Sequence, residues 1–159
     1  MQPEAISCYT LEMKIHRLDH VGINVEDLAA AKEFFLDLGL EMQGEMRLES
    51  ELLDVVTRLK NAKTEMDMMR APDGGATLEL VTFIRPVDET GIQHPYPLAN
   101  ALGMRHICFA VEDIEAIVTK LKKKGVEFFS EIQYYENIYK LCYLRGPEGM
   151  IVELAEEMQ

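Results

Sequence analysis

The stretch Leu18–Glu45, LDHVGINVEDLAAAKEFFLDLGLEMQGE, decides the fold, because Met104–Glu131, MRHICFAVEDIEAIVTKLKKKGVEFFSE, repeats it at a constant offset of 86 residues. Eight of the 28 positions are identical without a gap: His20/His106, Val25/Val111, Glu26/Glu112, Asp27/Asp113, Ala30/Ala116, Gly39/Gly125, Glu41/Glu127 and Glu45/Glu131. The ends of the two copies also correspond, since PDGGATLELV (Pro72–Val81) is similar to PEGMIVELA (Pro147–Ala155). A chain that repeats itself in this way is built from two copies of one supersecondary unit.

Working outward, each copy reads the same way. Val21, Ile23 and Val25 alternate as a strand, as do Ile107, Phe109 and Val111. Asp27 and Asp113 then suit a helix N-cap, and Gly39 and Gly125 fall where a left-handed residue stops a helix. Between them, Leu28, Ala31, Phe35 and Leu38 trace one apolar face. Ile114, Ile117, Val118 and Leu121 trace the other. Three strands are expected to follow in each unit: Leu40–Leu48, Thr64–Ala71 and Thr77–Ile84, then Val126–Gln133, Ile138–Arg145 and Met150–Ala155, with an extra helical turn at Glu51–Arg58. The order is βαβββ, twice. Residues 1–12 read as an N-terminal extension, and residues 13–156 as one α+β domain. Within it the first module is 13–85, a proline-bearing linker is 86–102 and the second module is 103–156.

The 159 residues suffice for one well-cored domain. Sixteen basic residues against 28 acidic ones leave a formal charge of −12. So acidic a surface repels phosphate backbones and anionic lipid, which argues against nucleic-acid and membrane partners. No apolar run approaches the length needed to span a bilayer. The opening residues MQPEAISCYTLE lack a basic start and an apolar centre, and fail as a secretory signal. Cys8, Cys108 and Cys142 are odd in number and imply no disulfide framework. The expected compartment is the cytoplasm.

The repeat places two histidines and two carboxylates equivalently. His20 and His106 lie in the opening strands, Glu79 and Glu153 in the closing ones. Because side chains alternate across a strand, residues flanked by helix-facing Val21, Ile107, Leu78, Leu80, Val152 and Leu154 must point to the other face. All four do so. Two such faces brought together by pseudo-twofold symmetry would hold a divalent cation, and imidazole with carboxylate suits Zn²⁺, Ni²⁺, Co²⁺, Mn²⁺ or Fe²⁺ better than Ca²⁺. Taken one at a time, a strand histidine or a glutamate between leucines is an ordinary structural residue; the repeat is what sets these four apart. His16 and His94 have no repeat mates and read as surface or linker residues.

With these motifs in hand, the chain resembles the vicinal oxygen chelate superfamily, which includes glyoxalase I, methylmalonyl-CoA epimerase, extradiol dioxygenases, fosfomycin-resistance enzymes and bleomycin-resistance proteins. The resemblance runs from Met13 to Glu156 and rests on LDHVGINVEDLAAAKEFFLDLGL, TLEL, RHICFAVEDIEAIVTKLKKKGV and RGPEGMIVELAE. It implies two βαβββ modules forming an open, eight-stranded barrel around a divalent metal held by His20, Glu79, His106 and Glu153. It also implies a small substrate that chelates the metal through neighbouring oxygens, proton transfer next to a carbonyl, and a homodimer. In some relatives the site is built across subunits, so that His20 and Glu79 of one chain meet His106 and Glu153 of the other. By the same resemblance Glu153 is the proton-moving carboxylate. TEMDMMRAP (Thr64–Pro72) matches the middle strand that carries a further catalytic glutamate in epimerases, here Glu65, with Asp67 on its face. Glyoxalase I carries an arginine close after its first ligand; Gly22, Ile23 and Asn24 offer none. Epimerases have an amide where Glu79 stands. Two other activities remain in view: metabolite or drug binding without turnover, and Fe²⁺-dependent extradiol-type oxygenation. A phosphonate pocket would draw on Arg47, Arg70 and Arg145, and Met42, Met46, Met66, Met68 and Met69 serve either an adaptable pocket or the core.

Overall fold

The structure, a computed structural model, describes residues 18–87, 99, 104 and 106–158. The N-terminal extension, His16, His94 and most of the linker lie outside the described residues. The element order is β1 (His20–Asn24), α1 (Leu28–Leu38), β2 (Glu41–Leu48), α2 (Glu51–Thr57), β3 (Lys63–Arg70), β4 (Thr77–Arg85), β5 (His106–Ala110), α3 (Ile114–Lys123), β6 (Gln133–Tyr135), β7 (Tyr139–Arg145), a 3-10 turn (Pro147–Gly149) and β8 (Ile151–Glu157). The strands form two four-stranded sheets of matching topology, β1-β4-β3-β2 and β5-β8-β7-β6. In each, the opening strand pairs parallel with the closing one and the rest is antiparallel.

The local signals do what their chemistry requires. Asp27 and Asp113 cap α1 and α3 by accepting from the Ala30 and Ala116 amides. Gly39 adopts φ 111°, a left-handed conformation that a Cβ would oppose, and Leu40 N–H closes the turn onto the Phe35 carbonyl. The Val126 amide does the same onto Leu121. One strand departs from expectation. Val126–Gln133 is not a continuous strand: Phe128 makes a lone bridge to Leu144, and regular pairing with β7 begins only at Gln133. Phe128 packs against the core and Phe129 turns to the guanidinium of Arg145 on the other face, a strand-like alternation that ends at the bend over residues 129–131.

Both modules share one core. Phe35, Leu80, Ile114, Leu121 and Leu154 are fully buried in a single cluster, and each such side chain contributes about 1.5–3 kcal/mol. The Phe35 ring of α1 packs edge-on against Phe109 of β5, with centroids 6.3 Å apart. Lys120 of α3 and Lys124 at its C-cap both reach Asp37 of α1. The modules therefore dock through their helices. α1 lies on β3 and β4 and α3 on β8, and among the described residues no helix covers the opposite faces.

Candidate metal centre

Register shows which side chains share the helix-free faces. In the first sheet one row runs His20–Thr77–Arg70 and the next runs Gly22–Glu79–Met68. In the second sheet the matching rows are His106–Ile151–Arg145 and Cys108–Glu153–Tyr143. His20 Nε2 lies 3.6 Å from Glu79 Oε2, and His106 Nε2 lies 3.2 Å from Glu153 Oε2. Donors bound at about 2.0–2.2 Å to one octahedral or tetrahedral cation stand about 2.8–3.6 Å apart, so each pair is already spaced as one edge of a coordination polyhedron. Asp19 Oδ2 sits 3.3 Å from Nδ1 of His20, as an orienting carboxylate behind a ligand histidine does. The donor set fits a first-row divalent cation.

The four residues are brought together only in twos. Among the described residues no group of three or more His, Cys, Asp or Glu side chains is placed to hold a metal ion. Both histidines remain open to solvent, with 47% and 42% of their side-chain surface exposed. Docking through α1 and α3 leaves the two helix-free faces apart within one chain.

The two half-sites differ in what surrounds the carboxylate. Glu79 is flanked by Gly22 and Met68, neither of which can donate a side-chain hydrogen bond, and a Cβ on Gly22 would sit 3.7 Å from Glu79 Oε2. Glu153 is flanked by Cys108 and Tyr143. Desolvation by neighbouring atoms, then the Glu153 charge, pushes the Cys108 thiol up to about 11. The same two causes, in that order, raise the Tyr143 phenol above its usual range. Both therefore keep their protons at neutral pH and can donate toward Glu153. The Tyr143 ring also lies against His106, with centroids 5.3 Å apart. Alternation along LCYLR (Leu141–Arg145) marks Tyr143 for this face, a signal the sequence reading passed over.

Glu65 is not brought to this site. Antiparallel register puts Met66 and Met68, not Glu65, beside Val81 and Glu79. Glu65 stands opposite Thr82 on the helix-covered face, where Arg47 Nε approaches it at 3.1 Å. Asp67 shares that face and is buried under α1, with Lys32 Nζ 3.1 Å from its Oδ2. Both are correctly placed together on one strand face, but it is the wrong face for a catalytic role beside His20. The methionines divide by the same rule: Met42 and Met69 join the core, whereas Met46, Met66 and Met68 share the face of Glu79.

Two βαβββ sheets, each presenting one His–Glu pair on its helix-free face, coincide with a match over residues 19–143 to the Glyoxalase/Bleomycin resistance protein/Dioxygenase superfamily. The chain belongs to that superfamily. Within the superfamily it is similar to a glyoxalase family protein of known structure from Bacillus cereus. Identity there is 40%, with a TM-score of 0.88, covering 94% of this chain and 99% of that one. It is 29% identical to the uncharacterized protein YwbC of Bacillus subtilis (strain 168), over 86% of this chain and 94% of that protein. It is also 31% identical to the mitochondrial methylmalonyl-CoA epimerase of Mus musculus, over 74% of this chain and 58% of the epimerase. Members of the glyoxalase superfamily typically bind small molecules and divalent metals. No helix among the described residues is long and apolar enough to cross a membrane.

Proposed function

We propose that this superfamily member is a divalent-metal-dependent isomerase or lyase of the glyoxalase/epimerase type, acting as a homodimer in which each active centre joins two half-sites. His20 and Glu79 of one copy and His106 and Glu153 of the other would hold the cation. The observation that carries this reading is the pair of His–Glu contacts at repeat-related positions, each preorganised as half of a ligand set and separated within one chain. A cation held there would supply Lewis-acid stabilisation of negative charge developing next to the substrate carbonyl.

The chain's own residues supply the rest. Glu153 is the carboxylate that takes the proton from carbon, because the Tyr143 phenol and the Cys108 thiol can compensate its charge by hydrogen bonding as its role changes. Glu79 has no such donors beside it and serves as a fixed ligand. Met46, Met66 and Met68 give the first half-site an adaptable apolar wall.

The test is metal content together with turnover of hemithioacetals and 2-substituted acyl-CoA thioesters. A mixing experiment then addresses the assembly. His20→Ala and Glu153→Ala are each inactive, but random re-association gives hybrids with one intact centre, restoring about a quarter of the wild-type activity. No recovery would place all four ligands in one chain. Metal-free protein without turnover would end the enzyme reading, and oxygen uptake with catechols under Fe²⁺ would replace it.

A further inference from the structure

Arg70 occupies a position that the metal reading leaves unused. It lies in the same row as His20, two strands across, on the helix-free face. Its Nε and Nη2 both donate to the Thr77 hydroxyl at 3.2 Å, which draws the guanidinium back over β4. Thr77 is the same-face neighbour of Glu79 on that strand, about 7 Å along it. Among the described residues no carboxylate comes within ion-pair distance of Arg70, although 28 of the 159 residues are acidic. Arg47, by contrast, pairs with Glu65, and Lys32 pairs with both Glu45 and Asp67. A half-buried guanidinium tethered, among the described residues, by a neutral hydroxyl alone has a face able to bind an anion.

The second module shows what the position does when it is structural. R-x-P-[D/E]-G occurs in both copies, as Arg70–Gly74 and as Arg145–Gly149. Arg145 is the register equivalent, yet its guanidinium stacks 4.3 Å from the Phe129 ring centroid and donates to the Gly149 carbonyl at 3.1 Å. Among the described residues no aromatic stack and no turn carbonyl holds Arg70. The repeat thus offers two arginines in matching places, one committed to packing and one left over the His20–Glu79 half-site.

We infer that Arg70 reads an anionic group of the substrate, a carboxylate or phosphate several bonds from the oxygens that chelate the metal. The inference rests on the metal reading above and specifies the substrate class: a chelating carbonyl compound with a remote negative charge.

Hydroxamates test it on the metal-loaded full chain. Acetohydroxamate chelates through two oxygens and carries no second charge, whereas the monohydroxamates of succinate and glutarate add a remote carboxylate. Calorimetric titration of the wild type is expected to favour the carboxylated ligands. Arg70→Met is expected to weaken these by about tenfold or more while acetohydroxamate stays within about twofold. Arg70→Lys, which keeps the charge and the aliphatic stem, should recover part of the loss. Equal weakening of charged and uncharged chelators, or no change in either, overturns the proposal. If the wild type binds acetohydroxamate no better with metal than without, the metal reading itself has failed and this proposal falls with it.

Discussion

His106 Nε2 stands 3.2 Å from Glu153 Oε2 across the parallel pair β5–β8, and the repeat reproduces the contact between His20 and Glu79 in the other sheet. Neither pair can saturate a cation alone, so their effects on metal binding should be linked although they lie on different sheets. His20→Ala and His106→Ala are each expected to lower Zn²⁺ or Co²⁺ affinity by more than about tenfold. Competition against a chromophoric chelator measures this. Full-strength binding by either variant would mean that the other half-site suffices.

Gly22 lies across from Glu79, and its bare face leaves the carboxylate open. Gly22→Val should leave the melting temperature equal or slightly higher, since a β-branched residue suits a strand. Metal affinity should nonetheless fall, because the added methyl groups would cover Glu79. Thermal melts without metal, set beside metal titrations, separate the two effects.

Asp37 ties α1 to Lys120 of α3 and to Lys124 at its C-cap, and the Lys124 ammonium beside it holds its carboxyl below the usual range. A depressed folded-state value contributes stability above the unfolded value of 3.8 that is lost as pH falls through the folded value. Asp37→Asn should therefore melt below wild type at pH 6 and converge with it as the pH drops below about 4. A constant gap from pH 7 to pH 3 would show that the contact is not electrostatic.

Phe35 is wholly buried and meets Phe109 of the other module. Phe35→Ala should cost about 3–5 kcal/mol in urea unfolding. Both modules should melt together, because the cavity opens at their shared core.

Much of the candidate site was legible in the residues themselves. Strand parity is a local property, and it correctly assigned His20, Glu79, His106 and Glu153 to the faces opposite the apolar alternation. The caps at Asp27, Asp113 and Gly39 were equally local. Glu65 falls on a different face from the four because a resemblance between strands does not carry their register. Only the pairing of Met68 with Glu79 shows that Glu65 belongs to the other face. The interrupted strand before β6 escaped for a related reason. Phe128 and Phe129 face the core and Arg145 as strand residues would, and only the pairing with β7 shows the bend over residues 129–131 that interrupts them.

From residue order alone came two βαβββ units, a ligand-type pair on each, and the face on which each pair stands. These follow from alternation, capping and repetition within short segments. Whether the two faces meet is another matter. That depends on how the modules dock, and here Phe35 against Phe109 and Asp37 against Lys120 and Lys124 join them helix to helix. Such packing sums many weak contacts between distant residues, so no single segment encodes it. It holds the two His–Glu pairs apart within one chain and leaves Arg70, alone of the two repeat-related arginines, unclaimed beside one of them.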